Sequence, residues 1–385
     1  MTDLPPARTW SWPTEICFGP GRAAETPALV RRLGARRPLV VTDATLGAMP
    51  MVTDLLAALA RAGLPAGVFS DVHPNPTGAA VAAGVAAFRA GGHDMVVTIG
   101  GGSALDAGKA VALMARQSRP IWDFEDVGDN WRRVDTSAPV PVIALPTTAG
   151  TGSEMGRSSV ITDAGRGRKV IIFHPVMMPQ IAVLDPHLTV GLPPALTAST
   201  GMDALCHALE TFITPNFHPM ADGLAVQALR MIRDALPRAV EEGGDLAARS
   251  DMLIASGMAC VALQKGLGGV HAISHALGAV HDAPHGLLNA MLLPHVTALN
   301  LGAARERLAC LAQILDLPSR DAGAVVDWLH GLNRRLGIPA TLAAIGIAET
   351  DPARVTALAL ADPCAPANPA PLDADFVAAA LAAVG

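Results

Sequence analysis

What most constrains the fold is a series of short, continuously apolar runs in the first half of the chain. Pro38-Leu-Val-Val-Thr-Asp43, Gly67-Val-Phe-Ser-Asp-Val72 and Asp94-Met-Val-Val-Thr-Ile-Gly100 show no polar alternation. A strand with one wet face alternates; a strand covered on both faces does not. Helical periodicity fills the intervals, at Met51–Gly63 and Gly78–Ala90, so the pattern predicts a parallel sheet with helices on both faces. Ligands of such sheets gather beyond the C-terminal strand ends. Three ends qualify: Asp43, His73-Pro-Asn-Pro-Thr77 and Gly100-Gly-Gly-Ser103.

The last of these runs straight into a helical stretch, Gly100-Gly-Gly-Ser-Ala-Leu-Asp-Ala-Gly-Lys109. Consecutive glycines let backbone N–H groups approach a pyrophosphate, and a helix N-terminus favours the anion. The alternative is a tight turn that needs glycine for geometry alone. Gly19-Pro-Gly-Arg-Ala-Ala24 imitates a dinucleotide fingerprint, but Pro20 removes an N–H from the cradle, so it is rejected as the phosphate loop. Gly150-Thr-Gly-Ser-Glu-Met-Gly156 reads as a loop whose Thr147, Thr148 and Thr151 offer hydroxyls to a ligand. Strand pattern continues at Val160–Asp163, Lys169–Phe173 and Ile181–Asp185. After Gly191-Leu-Pro-Pro194 nearly everything is helical in period.

Within that helical half lies Gly269-Val-His-Ala-Ile-Ser-His-Ala-Leu-Gly-Ala-Val-His-Asp-Ala-Pro-His-Gly286, which holds four of the chain's 12 histidines. His271 and His275 are four apart, on one helical face. Gly278 and Pro284 are expected to end this helix, with His285 on the turn beyond. Earlier, Asp203 and His207 repeat the four-residue spacing inside an apolar run. A carboxylate facing a core is costly unless paired or metal-bound, although a first-turn carboxylate is the simpler alternative. Together, one aspartate and three histidines complete a divalent-metal donor set.

Composition narrows the function classes. A length of 385 residues predicts two domains, and a net charge of −6 with no basic block argues against nucleic acid and anionic membranes. Met1-Thr-Asp-Leu-Pro-Pro-Ala-Arg8 lacks the pattern of a signal peptide, and no apolar run is expected to span a bilayer. The five scattered cysteines form neither a disulfide framework nor a CxxC pair, which points to the reducing cytoplasm. With no tyrosine in the chain, a tyrosine general acid is excluded.

Four spaced motifs together carry a family resemblance. Gly100-Gly-Gly-Ser103 with Asp106 and Lys109, Pro146-Thr-Thr-Ala-Gly-Thr-Gly-Ser-Glu154, Asp203-x3-His207, and His271-x3-His275-x9-His285-Gly resemble the iron-containing (group III) alcohol dehydrogenases. The match runs from Phe18 to Pro369. It implies an α/β plus all-α protein of the dehydroquinate synthase-like fold. A Rossmann-like nucleotide-binding domain is expected over residues 1–190 and an all-helical metal and substrate domain over 191–385, with the site in the cleft between them.

The resemblance further implies metal ligands at Asp203, His207, His271 and His285, and a phosphate loop at Gly100, Gly101, Gly102 and Ser103. Further cofactor contacts map to Asn75, Thr147, Thr148 and Lys169, and His275 maps beside the nicotinamide. Asp43 falls where members using NAD carry an acid at the adenosine ribose, which favours NAD over NADP. The implied reaction is reversible hydride transfer between NAD and a small primary or secondary alcohol or diol, on Fe(II) with Zn(II) as a second choice. His275 would position the nicotinamide or relay the proton, with His281 as a second relay member. A homodimer or higher homo-oligomer is expected.

The chain departs from the family in carrying Val280-His281-Asp282 where many members have an aromatic residue and Asn, which alters the substrate pocket. Its Asn368-Pro-Ala replaces Asn-Pro-Arg, with an effect expected on local packing alone. Alternatives within the fold are a glycerol dehydrogenase-like or dehydroquinate synthase-like enzyme. A metallohydrolase without nucleotide belongs to a different class, and it leaves Gly100–Ser103 and Asp43 unexplained.

Overall fold

The computed structural model describes residues 14–385; the stretch Met1–Arg8 lies outside the described residues. The chain divides into two compact units, with the break at Gly191/Leu192.

The first unit is built on a six-stranded, all-parallel sheet. Its strands are β1 (Glu15–Phe18), β2 (Pro38–Val41), β3 (Gly67–Phe69), β4 (Met95–Gly100), β5 (Val142–Pro146) and β8 (Ile181–Leu184), in the order β1-β8-β5-β4-β2-β3. Every residue of β2, β4, β5 and β8 is buried, whereas the edge strands β1 and β3 expose residues. The runs Pro38–Asp43 and Asp94–Gly100 are therefore interior strands, each buried Val, Ile or Leu contributing about 1.5–3 kcal/mol, whereas Gly67–Val72 supplies the edge strand β3 and leaves Val68 exposed, contrary to expectation. Helices α1 (Thr26–Arg32), α2 (Ala44–Gly47), α3 (Pro50–Arg61), α4 (Gly78–Ala90) and α5 (Gly102–Met114) connect them. The remaining strands, β6 (Ser158–Asp163) and β7 (Arg168–Phe173), form a separate antiparallel hairpin.

Strand order fixes where a ligand belongs. The chain moves outward from β2 to β3, then returns to lay β4 on the other side of β2. The crevice beyond the C-terminal ends of β2 and β4 is therefore the topological switch point. Asp43 and Gly100–Ser103 stand at those two ends.

Among the described residues the second unit contains helices and no strand. It comprises α6 (Pro194–Ile213), α7 (Pro219–Glu241), α8 (Leu246–Ala262), α9 (Gly269–His281) and α10 (His285–Leu299). These are followed by α11 (Arg305–Ile314), α12 (Gly323–Leu336), α13 (Pro352–Leu360) and α14 (Ala374–Val384).

Two expectations are corrected here. Gly278 does not end α9, which continues to His281 and stops at Asp282 in the left-handed conformation, φ 51°. One interior glycine costs only about 1 kcal/mol, and packing of α9 on α10 and α13 outweighs it. His285 accordingly opens α10, behind Pro284, rather than lying on a turn. The second correction concerns Leu246–Lys265, which is long and apolar enough to cross a bilayer by length and composition, although 61% of its apolar window is buried inside the fold. It packs on α6 and α7 and carries the buried Arg249, bonded to Gly243 O, Thr197 Oγ1 and Leu192 O, as a core helix does.

Candidate metal centre and nucleotide cradle

Three helices of the second unit bring the donor set together. Asp203 and His207 come from α6, His271 from α9 and His285 from the first turn of α10. Measured from Asp203 Oδ1, the Nε2 atoms of His285, His207 and His271 lie at 3.5, 3.8 and 3.9 Å. Donors about 2.1 Å from a tetrahedral cation are spaced by roughly 3.4 Å; Asp203, His207 and His271 place their ligand atoms within 4.8 Å of one another, close to that spacing, and His285 joins them through Asp203. His207 and His271 stack with ring centroids 4.7 Å apart.

The chemistry of the set fits a cation as well. Asn289 Nδ2 reaches Asp203 Oδ1 at 2.7 Å, His285 Nε2 at 3.0 Å and His271 Nε2 at 3.2 Å. With both Nε2 atoms unprotonated, as ligation requires, its two hydrogens face three lone-pair acceptors and leave electron pairs over for a cation. Burial pushes the His271 imidazole far below its ordinary titration range, which keeps it neutral and able to ligate.

α10 reaches this position through a missing side chain. A Cβ on Gly286 would lie 2.6 Å from Ser199 O of α6, so only glycine lets the two helices meet so closely.

Around the donors stands a ring of carboxylates. Glu210, also on α6, accepts from Val270 N at 2.7 Å and His271 N at 3.3 Å, and meets His271 Nδ1 at 2.6 Å. Burial raises its carboxyl to about 7 against the lowering effect of those backbone donors. His275 Nδ1 lies 2.9 Å from Asp362 Oδ2, and its ring stacks on His285 with centroids 5.1 Å apart. Asp362 also accepts from Cys364 N, and although burial opposes ionisation, the His275 contact holds its carboxyl below the ordinary range.

His281 is placed elsewhere. It ends α9 with Nε2 2.8 Å from Thr350 Oγ1, and it is not among the imidazoles that stack around the donors. Six residues past His275, it points to another side of the helix, so the structure does not bring this expected relay member to the cluster.

In the first unit, the expected cofactor residues collect at the switch point. Asp43 caps α2, accepting from Thr45 N and Leu46 N through Oδ1, and Thr77 caps α4. No side chain caps α5, whose first turn is Gly102-Ser103-Ala104, which leaves its N-terminal N–H groups without a side-chain acceptor, as the expected phosphate loop requires. Gly100 has φ +150°, and a Cβ there would sit 3.7 Å from Asp43 Oδ2. A Cβ on Gly102 would lie 2.6 Å from Thr151 Cγ2, and one on Gly101 3.4 Å from Thr148 Cγ2. Thr147 N donates to Gly100 O, tying the threonine loop to the glycine loop.

Asn75, in the left-handed conformation, and Lys169 meet around Thr162. The Thr162 hydroxyl donates to Asn75 O, and Lys169 is its cross-strand partner in the β6–β7 hairpin. The rejected Gly19–Ala24 loop is already satisfied internally, because Asp185 accepts from Gly21 N and Ala23 N.

Sequence reasoning missed Glu210, Asp362 and Asn289. Glu210 was recoverable, since it lies seven residues after Asp203 and three after His207 on one helical face. Asn289 is likewise four residues after His285 on α10. Asp362 reaches His275 from 87 residues away and left no local signal.

Known proteins resemble this chain along nearly its whole length. The iron-containing alcohol dehydrogenase family matches residues 13–186, and its Fe-containing C-terminal family matches residues 197–384. An NAD-dependent methanol dehydrogenase of Bacillus methanolicus is 37% identical over 364 residues, 93% of this chain and 94% of that protein. A 4-hydroxybutyrate dehydrogenase of Cupriavidus necator is 38% identical over 348 residues, 88% of this chain and 89% of its own length. The crystal structure of a 1,3-propanediol oxidoreductase superposes with a TM-score of 0.92 at 35% identity, covering 97% of this chain and 99% of that one.

The fold and the donor cluster thus define a metal-dependent, NAD-linked oxidoreductase acting on alcohols and aldehydes. The chain belongs to the iron-containing alcohol dehydrogenase family. Its first unit is the family's NAD-binding domain, and a divalent-metal donor cluster lies in the second. A hydrolase without nucleotide does not describe such a chain.

Proposed function

We propose that the protein interconverts a small primary alcohol or terminal diol and its aldehyde with NAD, on Fe(II) or Zn(II) held by Asp203, His207, His271 and His285. The observation that carries this reading is the convergence of three imidazole Nε2 atoms within 3.5–3.9 Å of one buried carboxylate oxygen. Methanol, 4-hydroxybutyrate and 1,3-propanediol, named for the three relatives, all present a terminal hydroxyl. When bound, the cation supplies Lewis acidity toward an alcohol or carbonyl oxygen, and NAD supplies the hydride-accepting ring.

The chain's own residues do the rest. The α5 N-terminus with Gly100, Gly101, Gly102 and Ser103 binds the pyrophosphate. Thr147, Thr148, Asn75 and Lys169 line the nucleotide path. Asp43 accepts from the ribose hydroxyls and repels a 2′-phosphate, favouring NAD. His275, its Nδ1 engaged by Asp362, offers Nε2 to hold or pass the hydroxyl proton. The order of Fe(II) before Zn(II) and a homo-oligomeric state accompany this reading on family grounds, and a cytoplasmic location on the scattered cysteines.

The test uses metal-stripped protein reloaded anaerobically with Fe(II) or Zn(II) and assayed by NADH absorbance on a panel of short alcohols, diols and aldehydes. Metal-dependent turnover is expected with primary alcohols, and it should vanish in Asp203→Ala. Turnover that persists in the stripped protein, or in Asp203→Ala, would sink the metal assignment.

A further inference from the structure

We propose that Glu210 is the positioning residue of the metal centre, fixing through one carboxylate both the first turn of α9 and the ring orientation of His271. The inference rests on the metal reading of Asp203, His207, His271 and His285 and deepens it.

The argument begins with a helix that cannot cap itself. α9 follows Gly266-Leu-Gly-Gly269, so its N-terminus has no side chain of its own to accept from the orphan N–H groups. Two residues from other elements replace the missing cap. Asn368 Oδ1 accepts from Gly269 N at 2.9 Å, and Glu210 accepts from Val270 N and His271 N. Asn368 otherwise pairs with Asn300 and Ala370, whereas Glu210 also reaches a metal donor. The oxygen that accepts from His271 N also lies 2.6 Å from His271 Nδ1.

Backbone N–H groups donating to both oxygens favour the ionised carboxylate, and a carboxylate can only accept, so Nδ1 is then the donor of that short contact. The proton of neutral His271 then resides on Nδ1, and Nε2 keeps the lone pair that faces Asp203, His285 and Asn289. Glu210 is itself buried, with 3% of its surface exposed, and His271 has 1%. Neither ring nor carboxylate has room to turn. A carboxylate behind a metal-binding imidazole fixes its tautomer and raises its basicity, and loss of such a partner costs 10–100-fold in affinity. Cys206 Sγ, 3.7 Å from the same Nδ1, is too weak an acceptor to replace it.

The two caps provide an internal control, because Asn368 holds the same helix end without touching a donor. Co(II) is titrated into the metal-stripped full chain, with affinity read by chelator competition and coordination by the visible d–d bands. Glu210→Gln is expected to bind Co(II) about 10–100-fold more weakly and with shifted bands. Asn368→Ala is expected to melt earlier yet bind Co(II) within about threefold of the parent, with unchanged bands.

Equal weakening in both variants would reduce Glu210 to a helix cap and overturn the proposal, as would parent-like binding by Glu210→Gln. A measurement on the parent alone covers the case of a variant that does not fold. In the Zn(II)-loaded, 15N-histidine-labelled protein, the His271 proton should be on Nδ1; a proton on Nε2 overturns the assignment. A parent that binds no Co(II) at all would instead overturn the metal reading, and this inference with it.

Discussion

The glycine loop of the nucleotide unit and the donor cluster of the helical unit solve opposite problems by opposite means. The first, as the proposed phosphate loop, would receive a polyanion by removing side chains: Gly100, Gly101 and Gly102 open the backbone, and no side chain caps the α5 N-terminus. The other must receive a cation, and it crowds side chains together, with His271 backed by Glu210 and Asp203 by Asn289. An anion site made of backbone is local in the chain, whereas a cation site made of side chains is assembled from distant segments. This difference sets both what can be read from sequence and what a mutation will break.

The largest expected effect tests whether the contrast is complete, because the cation site also depends on one absent side chain. In Gly286→Ala the new Cβ would meet Ser199 O at 2.6 Å and Ser199 C at 3.2 Å, both backbone atoms that cannot rotate away. α10 must therefore retreat from α6, taking His285 from Asp203. Overpacking of this kind costs about 1–3 kcal/mol of stability, and we expect roughly 100-fold weaker Fe(II) binding, of the order seen when a donor is left unsupported. Metal content after dialysis and a melting curve measure both. Unchanged metal content would show that the cage tolerates movement of α10, and the contrast between the sites would stand unqualified.

The same contrast explains what was legible. The interior strands declared themselves because a strand buried on both faces needs no partner to be recognised, and Gly100–Ser103 is one contiguous run. Asp203 and His207 share a helix, as do His271 and His275, so the four-residue spacing exposed them. Asp362 was invisible because a fold, not a helix, puts it beside His275. The end of α9 was misplaced for a related reason: Gly278 reads locally as a stop, while the packing that carries the helix through it is tertiary. Asp43 was read for its reach to a ligand, and its service to α2 as a cap went unnoticed.

A second prediction compares two buried carboxyls, one in each unit, both raised to about 7 by burial. Glu210 is surrounded by donors, whereas Oε1 of Glu154 has no hydrogen-bond partner among the described residues. The folded-state value of Glu154 lies above its ordinary 4.5, so the folded protein holds this proton more tightly than the unfolded chain. Its ionisation therefore penalises the fold increasingly between about pH 4.5 and 7, and fully above that, by on the order of 3 kcal/mol. Glu154→Gln is expected to flatten this decline in urea-unfolding free energy measured from pH 5 to 8. A parent whose stability does not fall over that window would show that Glu154 is ionised and paired.

The smallest effect separates the two functions of Asp43. Its Oδ1 caps α2 through Thr45 N and Leu46 N, while its Oδ2 faces the Gly100 side of the cradle. Serine caps a helix about as well as aspartate, so Asp43→Ser should change stability by less than about 0.5 kcal/mol. What serine lacks is the carboxylate that accepts from two ribose hydroxyls and repels a 2′-phosphate. The ratio of kcat/KM with NAD to that with NADP is therefore expected to fall about tenfold, equivalent to about 1.4 kcal/mol. A melting temperature that drops while the ratio holds would assign Asp43 to α2 alone. A ratio that falls at constant stability would mean that one side chain serves both the fold and the cofactor, so that even the site built by removing side chains retains one that discriminates.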